Sequence, residues 1–265
     1  MAVYEDLAGR TALIAGGATL IGRELARAFV AQGCRVVIAD IDATGGEQAV
    51  RELGEDVLFV PTDVTSDEAI DACLAAARAR FGGVDLLVNV TTSYLDDGLA
   101  TSRETWLRAL DIGLVGAAML AQKLSYELAA REGAIVNFSS VSAHRAQAGR
   151  FVYPAIKAAL AQLTRSQALD FAPRGVRVNA VAPGWTWSNI LAGLSGGDRG
   201  KVEAVGGPFH MPGRIGEPAE VAGAVLFLCS RASGFVTGSE IAVDGGYLAM
   251  GPERAEAPIA ALLQP

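Results

Sequence analysis

Tyr153 and Lys157 stand four residues apart in Tyr153-Pro154-Ala155-Ile156-Lys157, and the serine pair Ser139-Ser140 closes an apolar run shortly before them. On a helix, positions i and i+4 share a face, so this spacing sets an ammonium beside a phenol. A free phenol ionises near pH ~10. A neighbouring cation that favours phenolate by ~4 kcal/mol would bring it toward neutrality and make it a proton carrier. Alone, a Tyr-x-x-x-Lys spacing is common and usually a surface pair, so its meaning depends on what accompanies it.

A second group able to do chemistry is Ala15-Gly16-Gly17-Ala18-Thr19-Leu20-Ile21-Gly22. It follows an apolar strand pattern and opens a helical one. Glycines suit a backbone that turns sharply and approaches a pyrophosphate, whose charge then meets exposed N–H groups and the positive end of the helix dipole. The competing reading is an ordinary glycine-rich turn. Asp40 ends the next apolar run, about the ~20 residues on at which an acid accepts hydrogen bonds from an adenosine ribose. A carboxylate there favours NAD over NADP; the competing reading has it cap the following segment with Asp42.

The elements that must position these groups are visible in the hydropathy pattern. Apolar runs at 11–15, 35–39, 57–60, 86–89, 134–138, 177–181 and 240–243 read as strands covered on both faces. Between the first two, Ile21, Leu25, Ala28, Phe29 and Gln32 mark one helical face that ends at Gly33. Repetition of this βαβ unit predicts an α/β fold, a Rossmann-type doubly wound parallel sheet of about seven strands with helices on both faces. Its ligand site lies beyond the carboxyl ends of the strands. Residues 1–265 read as one dinucleotide-binding domain. Within it, 183–213 is a glycine-rich, tryptophan-bearing loop or lid over the site, and 251–265 a short tail.

Bulk properties exclude several classes of function. A formal charge of −7 disfavours nucleic acid and anionic membrane surfaces. No apolar run reaches the ~18 residues of a membrane span. Three scattered cysteines, Cys34, Cys73 and Cys229, suit free thiols in a reducing compartment, and the start of the chain has no apolar leader, so the expected location is cytoplasmic. Two histidines without acidic partners at ligand spacing predict no metal.

Taken together, these residues resemble the classical short-chain dehydrogenase/reductase family from about Leu7 to Tyr247. The match comprises the glycine turn, Asp40, Asp63-Val64, Asn89, Ser140, Tyr153 with Lys157, Asn179, Pro183-Gly184 and Val243-Asp244-Gly245-Gly246. The resemblance implies an NAD-dependent oxidoreductase in which Tyr153 is the general acid/base. Lys157 would lower its pKa and hold the nicotinamide ribose, and Ser140 would hydrogen-bond the substrate oxygen. It further implies cofactor contacts from Gly16, Thr19, Leu20, Ile21, Gly22, Asp40, Ile41, Asp63, Val64, Asn89, Pro183, Gly184, Thr186 and Ser188.

The chain also departs from the family pattern. Leu20 replaces a glycine of the turn, Ala15 a threonine, and Val90-Thr91-Thr92 follows Asn89 in place of Asn-Ala-Gly. Gly113 stands where the family commonly has an asparagine that helps hold a relay water. Two readings follow: an active dehydrogenase whose relay tolerates glycine, or a dinucleotide-binding sensor or structural protein without turnover.

The substrate pocket is expected from the segments after Ser140, Tyr94 and Pro183, with Ser142, His144, Tyr94, Trp185, Trp187, Ile190 and Leu191 as lining. This apolar, aromatic set suits a hydrophobic, cyclic or aromatic secondary alcohol and its ketone, with 3-oxoacyl carbonyl reduction as the alternative. No Arg or Lys occurs between Pro183 and Asp198, which disfavours an anionic group there; Arg145 and Arg150 lie outside that stretch and weaken the inference. The resemblance also implies a homo-oligomer, with a tetramer favoured. Ala117, Ala118, Leu120, Ala121 and Leu124, with Ala158, Ala159, Leu163 and Ala168, are the candidate contact surface, or else intramolecular core.

Overall fold

Every strand-like run is a strand. In the computed structural model, which describes residues 2–251, β1 (Thr11–Ala15), β2 (Arg35–Asp40), β3 (Val57–Pro61), β4 (Leu86–Asn89), β5 (Ala134–Phe138), β6 (Arg177–Pro183) and β7 (Glu240–Val243) form one sheet. All neighbours are parallel, in the order β3-β2-β1-β4-β5-β6-β7. The pattern is continuous and apolar because both faces are covered. Ala12, Ile14, Val36 and Ile38 pack on one side, while Leu13, Ala15, Val37 and Ala39 pack on the other. Strands β2, β3 and β6 run further than expected, to Asp40, Pro61 and Pro183.

The helices are α1 (Leu20–Ala31), α2 (Ala43–Leu53), α3 (Asp67–Phe81), α4 (Arg103–Leu110), α5 (Gly116–Lys123), α6 (Ser125–Ala130), α7 (Val152–Phe171), α8 (Asn189–Ser195), α9 (Arg199–Gly206) and α10 (Pro218–Cys229). Leu25 and Phe29 of α1 share a core with Val225 and Leu226 of α10 on one face; α3, α5 and α7 cover the other. The start of α1 is fixed by Thr19, whose Oγ1 accepts from the Gly22 N–H at 3.0 Å and donates to the Gly16 carbonyl at 2.9 Å. Beyond its end, Gly33 takes the left-handed conformation at φ +77°, as the sequence suggests.

Three points correct or extend the sequence reading. The 183–213 stretch is not irregular throughout: about half of it folds as the short helices α8 and α9. Leu120, Ala121, Leu124 and Ala168 are buried in the core, so they are not free for contact with another copy. Ala158 of α7 stays exposed on the surface. The expected tail lies outside the described residues, apart from Gly251.

Candidate active site

Strand order reverses beside β1, where β2 and β4 flank it, and the crevice at this switch point opens along the carboxyl edge of the sheet. Ser139 and Ser140 follow β5 directly. A short 3-10 turn, Val141–Ala143, continues the chain, with Ser140 Oγ accepting from the Ser142 N–H at 3.1 Å. This turn is held by Glu240 at the start of β7: the Ser139 hydroxyl donates to Glu240 Oε1, and His144 Nε2 lies 2.5 Å from Glu240 Oε2.

The first turn of α7 carries Tyr153, and a residue far away in sequence holds that turn in place. Asp96 accepts hydrogen bonds from the N–H groups of Phe151, Val152 and Tyr153 at 3.0, 2.9 and 3.0 Å. Those are donors that a helix start leaves without intrahelical partners. Burial alone would raise the Asp96 carboxyl, but these bonds and one from Gly98 together hold it below the ordinary value.

Tyr153 faces three polar partners. The Ser140 and Tyr94 hydroxyls both favour the charged form of its oxygen, although the Ser140 hydroxyl donates to Ser142 Oγ at 3.2 Å, and the Tyr94 ring stacks on the Tyr153 ring with centroids 5.1 Å apart and planes 14° apart. Lys157 lies on the same face one turn later, with Nζ 5.5 Å from the Tyr153 ring centroid. The i, i+4 adjacency read from the sequence is therefore present. Its expected electrical consequence is not. Burial pushes the Tyr153 phenol above its ordinary value, against the pull of Ser140, Tyr94 and the Arg150 charge. Lys157, only 2 % exposed, is itself lowered by burial to about 7, and its Nζ donates to the Phe138 carbonyl at 2.7 Å. Desolvation penalises the charged form of both partners, so the neighbouring hydroxyls and the Arg150 charge, not the lysine field, are what favours phenolate in this arrangement.

Gly113, at the position of the family's asparagine, lies in a single π-helical turn, Asp111–Val115, between α4 and α5. A Cβ there would meet Ile156 Cγ2 at 2.9 Å, so Ile156 fills the space a side chain would need. Tyr94 instead supplies the additional hydroxyl next to Tyr153.

The other end of the crevice fits a dinucleotide. Gly16 has φ +83°, and a Cβ on Gly22 would lie 2.3 Å from the Gly16 carbonyl oxygen, so the turn admits no side chain at either position. Leu20, where a glycine was expected, is tolerated because it begins α1. Its N–H donates to Asn189 Oδ1 of α8 at 2.6 Å, which ties the 183–213 segment to the phosphate-binding turn. Two buried acceptors near the ends of β4, Asn89 Oδ1 and Thr92 Oγ1, have no protein partner. Asp40 accepts from the N–H groups of Ala18 at 2.9 Å and Asp42 at 3.1 Å, so it serves the local capping role and retains lone pairs for a ribose. Asp63 is engaged by Thr65, Val64 packs against Gly116, and Ile41 is exposed beyond β2.

A cavity of about 700 Å³ runs from the Tyr153 end to Thr19 and Ile21 at the start of α1; Gly16, Leu20, Gly22, Asp40, Ile41, Asp63, Val64 and Asn89 of the expected cofactor set lie outside its lining. It brings together Thr19, Ile21, Tyr94, Ser140, Ser142, Tyr153, Lys157, Pro183, Gly184, Trp185, Thr186, Ser188, Ile190 and Leu191 from the sequence set. Two expected lining residues are elsewhere. His144 is turned to Glu240, and Trp187 lies under Arg199 at 5.7 Å. His210 is a buried strut: its Nε2 accepts from the Trp185 N–H at 3.1 Å, with Nδ1 2.9 Å from the Gly206 carbonyl. Sequence reasoning missed Asp96, Gln147, Phe209 and Tyr247, whose place depends on contacts between distant segments.

Comparison with known proteins decides what this arrangement is. Residues 16–248 match a family profile described as enoyl-(acyl carrier protein) reductase. The chain is 40 % identical to cis-4-hydroxycyclohexanecarboxylate dehydrogenase of Sinomonas cyclohexanicum, over 93 % of this chain and 99 % of that protein. The chain belongs to the short-chain dehydrogenase/reductase family. It is also 38 % identical to galactitol 2-dehydrogenase (L-tagatose-forming) of Cereibacter sphaeroides, over 91 % and 96 % of the two chains. Among solved structures, 3-ketoacyl-(acyl-carrier-protein) reductase from Brucella melitensis, complexed with NADH, superposes with a TM-score of 0.83 at 30 % identity, covering 91 % of this chain and 99 % of that one. This short-chain dehydrogenase/reductase is thus an oxidoreductase with a Rossmann-type fold, and nicotinamide dinucleotide is the cofactor its family binds. Among the described residues, no helix is long and apolar enough to cross a membrane.

Proposed function

We propose that the protein is an NAD-dependent dehydrogenase that interconverts a hydrophobic, cyclic secondary alcohol and its ketone. The observation that carries this reading is the convergence of the Tyr153, Ser140 and Tyr94 hydroxyls with Lys157 in a cavity walled by Trp185, Ile190 and Leu191. The dinucleotide, when bound, supplies the hydride acceptor. Its pyrophosphate belongs on the turn from Gly16 to Gly22, its adenosine ribose at Asp40, its nicotinamide ribose at Lys157, and its outer face under Thr186 and Ser188. In alcohol oxidation the Tyr153 oxygen takes the hydroxyl proton as hydride leaves the carbon, and Ser140 donates to the oxygen as negative charge develops there. Tyr94, donating to the same phenol oxygen, favours its deprotonated form.

The retained Ser140, Tyr153 and Lys157 support turnover over a sensor role, because binding a dinucleotide needs no hydrogen-bonded acid/base group. Reduction of 3-oxoacyl carbonyls is the second reading, favoured by the likeness to the Brucella reductase. Three buried free cysteines support a cytoplasmic location, and we extend the reading to a homotetramer. The test is the absorbance of reduced nicotinamide with NAD or NADP across cyclohexanols, alditols and 3-hydroxyacyl thioesters. The expected result is fastest turnover with NAD and a cyclohexanol. Dinucleotide binding without turnover of any alcohol or ketone would overturn it.

A further inference from the structure

The cavity is cationic in a protein of net charge −7. Its described lining includes Arg150, Lys157 and Lys201 and no aspartate or glutamate. Lys157 is committed to the Phe138 carbonyl, and Lys201 sits exposed on α9 at the rim. The neighbouring Arg145 lies outside the lining and gives its guanidinium to the carbonyls of His144 and Leu248, at 3.0 and 2.8 Å. Arg150 differs from all of these. Its guanidinium carbon lies 5.7 Å from the Tyr153 ring centroid, and its side chain has no hydrogen bond or ion pair among the described residues. A guanidinium carries five donors in a fixed fork, and the groups that match two of them at once are a carboxylate and a phosphate; of the two, only the carboxylate suits a compact substrate seated against the Tyr153 ring.

We propose that Arg150 holds a carboxylate of the substrate, so that the alcohol oxidised at Tyr153 is an apolar-bodied hydroxy acid. The inference rests on the dehydrogenase reading and narrows its substrate. Arg150 stands over the ring whose hydroxyl meets the carbinol, so carboxylate and carbinol lie a short span apart, and a six-membered ring supplies one. The ring faces Trp185, Ile190 and Leu191, from the stretch without basic residues, while the carboxylate points to the start of α7. A cationic pocket in an anionic protein also draws in an anionic substrate against the general repulsion.

The experiment compares kcat/KM for 4-hydroxycyclohexanecarboxylate and for 4-methylcyclohexanol in the wild type, Arg150→Gln and Arg150→Lys. The wild type should favour the carboxylate. Arg150→Gln should cut the ratio of the two by about 10- to 100-fold, the worth of one charge-assisted hydrogen bond, and Arg150→Lys should restore part of it. An equal loss on both substrates would assign Arg150 to the Tyr153 stack alone and overturn the proposal. A change confined to the KM for NAD would overturn it in favour of the cofactor phosphates, and a wild-type preference for a 3-hydroxyacyl thioester of coenzyme A would do so in favour of that anion. Should the variants fail to fold, cyclohexanecarboxylate must still inhibit the wild type competitively against 4-methylcyclohexanol; its absence as an inhibitor contradicts the proposal. Turnover of neutral alcohols without a carboxylate preference removes this inference alone, whereas no turnover of any alcohol or ketone removes the dehydrogenase reading beneath it.

Discussion

Lys157 is buried at a cost that its function explains. Its folded pKa of about 7 lies below the ordinary lysine value, so in the range between them the unfolded chain binds a proton that the folded chain does not. Stability from this group is therefore highest above the ordinary lysine pKa, falls as the pH drops, and reaches its lowest level below about 7. Lys157→Met should be inactive yet more stable. The gain should be largest below pH 7, on the order of a few kcal/mol, and should shrink as the pH rises. Thermal unfolding of both proteins across pH checks this, and a gain independent of pH would contradict it. At the same scale, the Tyr-Lys adjacency followed from helical spacing alone. Its energetics did not, because burial is set by the whole fold, and neither did the stack of Tyr94 on Tyr153, which joins residues 59 apart in the sequence.

Elements aim these groups. Asp96 caps α7 from a loop after β4, so the register of Tyr153 depends on a carboxylate that no local motif signals. Asp96→Asn keeps the shape but loses an acceptor oxygen and the charge at the helix start. It should cost about 1 kcal/mol of stability and lower kcat more than it raises KM, seen by denaturant unfolding with steady-state kinetics. Because the Asp96 carboxyl is held below its ordinary value, its contribution is present above the carboxylate range and is lost as the pH falls through the depressed value. The asparagine variant should therefore lose the corresponding acid-side slope. Strands were readable because two-sided burial demands continuous apolar runs, as in β1 and β5. The helices over the cavity were not, since α8 and α9 are short, glycine-bearing and held by contacts such as Asn189 with Leu20 and His210 with Trp185.

At the scale of the whole molecule, the apolar residues first assigned to an interface divide by face: Leu120 and Leu124 complete the core, while Ala158 of α7 stays outside. Leu107 of α4 and Leu169 of α7, which were not in that set, are 60 % and 76 % exposed. Hydropathy alone cannot tell these faces apart, because both are apolar. If the proposed tetramer forms through the outer faces of these helices, Leu169→Glu should shift light-scattering mass to a smaller species without unfolding the chain. An unchanged mass would contradict that choice of face. The molecule as a whole sets an anionic exterior around a crevice whose lining carries Arg150, Lys157 and Lys201, and its chemistry meets at one phenol oxygen. The most direct measurement is a single-turnover assay of nicotinamide reduction with 4-methylcyclohexanol in wild type and Tyr153→Phe, with dinucleotide binding followed by protein fluorescence. The account predicts retained binding and a rate lower by about 10²- to 10⁴-fold; a variant that binds the dinucleotide and reduces it at the wild-type rate would contradict it.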